Sequence, residues 1–169
     1  MGSINPGTSR WSWSVGAALI LAALAALGLA TPQESVTVKR VIDGDTMVLE
    51  SGERLQLIGV DTPHTVHPRK QVEKVGKEAS AFTRRMVQGK RVRVEYDPVN
   101  ASRNRKESAS QEGTLAYVFL EDGTLLNWEI IRLGYGFVFT RFPFSRMEEF
   151  LRLERAARTN RRGLWSDDP

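Results

Sequence analysis

Between residues 36 and 60 apolar and polar positions alternate in short runs broken by Gly and Asp. Val36 and Val38 lead, after a shift of phase, into Val41 and Ile42; DGDT turns the chain; Met47, Val48 and Leu49 follow; Ser51-Gly52 turns it again before RLQLIGV, residues 54–60. This pattern predicts a meander of three strands. The period then changes. Val75, Ala79, Phe82 and Met86 recur at helical spacing, with Gly89 as a stop. Alternation returns in RVRVEY, residues 91–96, with Val92, Val94 and Tyr96 on one face and Arg91, Arg93 and Glu95 on the other. The tract PVNASRNRKESASQEG, residues 98–113, offers nothing to pack and predicts a mobile loop. TLAYVFL, residues 114–120, predicts a further strand, closed by a turn at Glu121-Asp122-Gly123. Helices are expected over NWEIIRLG, residues 127–134, and from Ser145 onward. There Ser145 and Glu148 have capping-box spacing, Met147, Phe150, Leu151 and Ala157 mark an apolar face, and Gly163 ends the run. Five strands with one helix inserted after the third and helices at the end predict an α+β fold: a five-stranded OB-fold β-barrel with three helices. There are no internal repeats.

One stretch has no polar face. Residues 15–30, VGAALILAALAALGLA, carry no charge; Arg10 precedes them, and Trp11 and Trp13 stand where interfacial aromatics belong. The run is shorter than the about 20 apolar residues of a spanning helix. It has the length of a secretory signal's apolar region, and Gly28-Leu29-Ala30 supplies small residues for cleavage. Residues 1–31 therefore read as a signal peptide or membrane anchor, an N-terminal apolar helix in front of a domain over residues 35–168. That domain is expected outside the cytoplasm: secreted, periplasmic or membrane-anchored.

Composition narrows the chemistry. A chain of 169 residues suits one compact domain. Its net charge of +4 and pI near 9.7 favour polyanionic partners, nucleic acid or a phospholipid surface among them. The absence of cysteine excludes disulfides, thiolate zinc sites and a cysteine nucleophile. The only histidines, His64 and His67, both lie in VDTPHTVHP, residues 60–68.

Five pieces in order, VIDGDT (41–46), IGVDTP (58–63), KEASAFTRRMV (77–87), LAYVF (115–119) and GLWSDD (163–168), resemble the staphylococcal nuclease (thermonuclease) family, an SNase-like OB-fold domain. The resemblance implies calcium-dependent hydrolysis of DNA and RNA phosphodiesters. It implies further that Ca2+ is held by Asp45, Asp61 and the Thr62 carbonyl, with Asp43 supporting them from behind. In-line attack on phosphorus builds negative charge on the nonbridging oxygens; a hard cation and fixed guanidinium groups must meet that charge while a base orients the attacking water.

The rest of the family's machinery is replaced. Its two catalytic arginines fall on Gln56 and Gly113, its catalytic glutamate on His64, and a tyrosine that packs near the nucleotide on Gln111. One lost transition-state donor typically costs ~10²–10³ in rate, and an arginine in phosphoryl transfer is worth ~10³–10⁵. Three substitutes are open. Arg54 shares the face of Gln56 but is displaced by roughly 6–7 Å along the strand. Arg103, Arg105 and Lys106, in the polar loop, suit binding more than catalysis, because ordering a loop costs entropy. His64, with an ordinary pKa near 6.5, has the chemistry of a base. Asp61, His64 and His67 as a site for zinc, nickel or copper is a fourth arrangement.

The expected function is thus an exported nuclease-like domain, impaired or inactive in cleavage, that binds nucleic acid or another phosphorylated ligand, with Arg54, Arg103, Arg105 and Lys106 as candidate contacts. The alternative is an active metal-dependent endonuclease rebuilt around His64 as base. A third reading, a membrane-tethered interaction module, rests on GFVFTRFPF, residues 136–144, as an exposed contact.

Overall fold

The computed structural model describes residues 35–63, 70–100 and 113–166, of which Lys70 and Gln71 are described in backbone only. The chain divides into two units, Met1–Gln33 and Glu34–Pro169, and the fold is that of the second. Strands β1 (Ser35–Val41), β2 (Thr46–Leu49) and β3 (Arg54–Leu57) are followed by a short β4 (Val60–Asp61) and helix α1 (Lys70–Val87). Then come β5 (Arg91–Glu95), β6 (Thr114–Phe119), helix α2 (Leu126–Arg132), a short β7 (Phe137–Val138) and helix α3 (Met147–Thr159). The barrel closes in the order β1-β2-β3-β6-β5, while β4 and β7 pair separately. This is the expected five-stranded barrel with three helices. Among the described residues no helix is long and apolar enough to cross a membrane; the apolar run at 15–30 lies outside them.

The meander forms because alternation puts Val38, Met47, Leu49, Leu55 and Leu57 inside, each buried. Burying such a side chain stabilises by about 1.5–3 kcal/mol. The run at 54–60 is not one strand, however. The chain bends at Gly59, whose φ is +73°, and the ring of Phe144 fills the space beside it. β6 is buried along its whole length, because it pairs in parallel with β3 and antiparallel with β5.

Three local expectations are corrected. The buried stripe of α1 is Val75, Ala79, Thr83 and Val87, while Phe82 and Met86 are half-buried at its edge. The stripe includes a threonine because its hydroxyl finds an acceptor in the β1–β2 turn. Tyr96 is 52% exposed, since β5 ends at Glu95. The capping box does not form: α3 starts from Arg146 with no side-chain cap, because Ser145 is engaged elsewhere. Its amide donates to Asp97 Oδ2 (2.7 Å) and its hydroxyl to Asp97 Oδ1 (3.0 Å). In the 136–144 run, Phe144 is buried against Phe150 and Phe137 stacks edge-on with Trp165. Val138 donates its amide to Glu154 of α3, while Phe139 and Phe142 are half-buried against each other.

Asp97 is a polar post inside this core. Tyr117 Oη donates to it at 2.6 Å and the Val99 amide at 2.9 Å, beside the two bonds from Ser145. Burial raises its pKa, but these donors outweigh it and hold the carboxyl below the ordinary 3.8. Stability from this group is therefore present above pH 3.8 and lost as pH falls through the lower folded value. Asp97→Ala is expected to cost about 2–4 kcal/mol at neutral pH, since buried donors lose a charged acceptor. Urea unfolding of both proteins checks this, and equal midpoints would refute it.

Candidate nucleic-acid site at the Asp43–Asp45 turn

β1 ends at Val41 and β2 begins at Thr46, so residues 42–45 must reverse the chain. The amides of Ile42 and Asp43 both donate to Thr46 O, at 2.9 and 3.3 Å. Gly44 lies where two other elements press in: a Cβ there would sit 2.7 Å from Thr62 Oγ1 and 2.9 Å from Ala79 Cβ. Only glycine fits without displacing α1 or the β4 corner. Its carbonyl accepts a 2.6 Å bond from Thr83 Oγ1 on α1, and the Asp45 carbonyl accepts one of 2.8 Å from the Leu57 amide at the end of β3.

The pinned turn fixes its carboxylates. Asp45 is buried; its Oδ2 accepts from the Thr62 amide and its Oδ1 from the Thr46 hydroxyl, both at 2.9 Å. Burial, together with a hydrogen bond and like charge from Asp43, pushes the Asp45 carboxyl up to about 7 against those two donors. The charged form of Asp45 is disfavoured because its carboxylate is buried beside a second acid. Asp43 Oδ1 and Thr62 Oγ1 are buried without a partner. Paired carboxylates and unmet oxygens form an all-oxygen donor set, the kind a hard divalent cation takes.

Asp61 follows directly from Val60 in β4 but is exposed. Among the described residues no three carboxylate, thiol or imidazole groups gather tightly enough to hold a metal unaided. The structure thus joins Asp43, Asp45 and Thr62, and leaves Asp61 at the solvent side of the same corner. Gln56 sits across from Thr46 on β2 and Leu115 on β6, on the strand face beside the turn. Gly113 leads into β6 with φ +90°, and a Cβ there would lie 2.7 Å from Arg54 O and 3.0 Å from Arg54 Cγ. His64, His67, Arg103, Arg105, Lys106 and Gln111 lie outside the described residues.

The order of the motifs along the chain is therefore an order in space: turn, corner and two adjacent strands meet at one place. A family profile described as "Staphylococcal nuclease homologue" matches residues 54–167. The chain belongs to the staphylococcal nuclease family. It is similar to the thermonuclease of Staphylococcus intermedius, at 49% identity over 92 residues, which cover 53% of this chain and 51% of that protein. It is similar also to the thermonuclease of Staphylococcus hyicus, at 34% identity over 139 residues, covering 80% and 78%. Endonuclease YhcR of Bacillus subtilis matches at 26% identity over 143 residues, 78% of this chain but 11% of that protein. The match to the first of these spans only about half of that relative's length.

Thr83 and Thr46 were not among the candidates, although both hold the family's turn in place. The signal was present: Thr83 continues the Val75–Ala79 spacing by one more helical turn, and a hydroxyl on an apolar stripe must bond to something.

A raised folded pKa means that Asp45 favours the folded state below pH 3.8 and that this contribution is lost as pH rises through about 7. In chelator, the melting temperature is expected to decline between roughly pH 4 and pH 8, and Asp45→Asn to flatten that decline. A divalent cation at pH 8 should restore the wild type and not the variant. A wild-type profile flat across this window would contradict the upward shift at Asp45.

Proposed function

We propose that this domain is an exported, nucleic-acid-binding member of the staphylococcal nuclease family in which phosphodiester cleavage is strongly impaired. The observation that carries the reading is the backbone at Gly113. The resemblance assigns this position to a catalytic arginine, yet its φ is +90° and even a methyl group would collide with Arg54. A side chain there needs a strained backbone, at about 1–3 kcal/mol, and a shift of β3 as well. The loss of the arginine is built into the barrel and is not a lone point change.

The other positions agree. Gln56, beside the turn, brings a hydrogen-bond donor without charge. His64 replaces the family's carboxylate. What remains suits holding a ligand: Asp45, Asp61 and the Thr62 carbonyl would hold calcium, with Asp43 behind them, and the unmet oxygens of Asp43 and Thr62 fit that group. When bound, the cation supplies positive charge next to a phosphate. Asp45 is oriented by the Thr62 and Thr46 donors, so the chain's own part is to keep its oxygens in place as its proton leaves. Basic residues supply a sequence-independent grip on a polyanion, with Arg103, Arg105 and Lys106 as further candidates. Export is supported by the apolar run at 15–30, and contact with a membrane would follow if that segment is retained.

Incubation of the pure protein with heat-denatured DNA and calcium, then with manganese, zinc or chelator, tests this. The expected result is cleavage at least ~10³ slower than by the Staphylococcus hyicus thermonuclease, with binding that is retained at low salt and falls as salt rises. Brisk calcium-driven digestion would sink the proposal. If that digestion vanished in His64→Ala, the site would be one rebuilt around His64 as base.

A further inference from the structure

Arg54 covers ground that belongs elsewhere in the family pattern. It opens β3, whose alternating burial puts Arg54 and Gln56 on the outer side and Leu55 and Leu57 in the core. Gly113 precedes Thr114, which lies opposite Leu55 in the parallel β3–β6 pair. The space into which a side chain at 113 would depart is taken by the Arg54 carbonyl, at 2.7 Å from an ideal Cβ, and by Arg54 Cγ, at 3.0 Å. The glycine and the arginine are therefore one steric unit.

Three other arginines of the domain are engaged. Arg93 pairs with Glu95 and lies over Phe119, with Cζ 4.0 Å from the ring centre. Arg158 bonds Glu154 and lies over Trp165, and Arg146 lies over Tyr117, Phe119 and Trp128. Arg54 differs: its Nε is buried and meets no acceptor, and among the described residues no ion pair includes it. A buried donor on a charged group is costly until an acceptor arrives. Arg54 is two residues, about 6.5 Å along the strand, from Gln56, which itself abuts the Asp45 turn.

We infer that Arg54 is the phosphate-gripping residue of this site, standing in for the arginines absent at 56 and 113, and that glycine at 113 is what gives it room. The inference deepens the proposed function and rests on it: the ligand is a nucleic-acid phosphodiester. A planar guanidinium offers a fork that fits two phosphate oxygens. The displacement that disqualifies Arg54 from a transition state matters little for holding a ground-state phosphate. A stem packed on backbone also loses less freedom on binding than a free side chain.

Fluorescence anisotropy of a labelled single-stranded oligonucleotide, titrated with the full chain at several salt concentrations, tests the assignment. Arg54→Gln should weaken binding about tenfold or more and reduce the slope of log K against log salt by about 0.7, one phosphate contact on a single strand. Gly113→Ala changes no charge, yet should weaken binding and flatten the slope in the same way, because its methyl group displaces Arg54. Arg54→Lys, keeping charge without the fork, should fall between wild type and Arg54→Gln. Arg155→Gln, the same charge change at an exposed position of α3, is the control. Circular dichroism and melting establish that each variant is folded; should Gly113→Ala fail to fold, the two Arg54 variants decide. Wild-type binding with Arg54→Gln no weaker than Arg155→Gln would overturn the assignment alone. No wild-type binding at low salt would overturn it together with the proposed function.

Discussion

The reversal between β1 and β2 is held from outside as much as from within. Its carboxylate is aligned by an amide from the corner after β4, its glycine carbonyl by a hydroxyl from α1, and its last carbonyl by an amide from the end of β3. None of these donors is near in sequence, so the turn has its shape only once barrel and helix have closed. The closeness of Asp43 and Asp45 depends on that. Left to itself, an acidic turn would splay its carboxylates into water; here the packing of Gly44 against Thr62 and Ala79 prevents it. The barrel's closure energy, drawn from apolar burial, is what offsets the repulsion of two acids.

The fold was legible because the apolar spacing switches period cleanly, at the 36–60 meander, at α1 and again at β6. Details set by distant contacts were not. Gly59 breaks the third strand because Phe144, 85 positions on in the numbering, needs the room. Ser145 abandons its local cap for Asp97, 48 residues away. Neither partner lies in any window that a periodicity reading spans. The site shows the same division. The DGD turn and the DTP corner are local and readable, and they do meet. The exposure of Asp61 and the steric bond between Arg54 and Gly113 depend on strand registers that only the folded chain reveals.

Read residue by residue, positions 56, 64 and 113 look like three independent deletions of function. Seen in the barrel, at least one is tied to its surroundings. A backbone at φ +90° with an arginine stem packed on it does not admit a larger residue by a single substitution, since the added side chain would meet the Arg54 carbonyl and stem. Degeneration and refitting then look alike in sequence and differ in packing.

Asp97 joins the end of β5 to the start of α3, and Phe150 of that last helix is fully buried with its ring against Tyr117 and Phe144. The barrel therefore has no finished core until residues near 150 are available. A nascent chain with this stretch still in the exit tunnel leaves Tyr117 and Phe144 without their ring partner and Asp97 without its two bonds from Ser145, so these contacts form late in the synthesis of the domain. Late closure of this kind would suit a polypeptide threaded unfolded through a translocation channel, the itinerary proposed from the apolar run at 15–30.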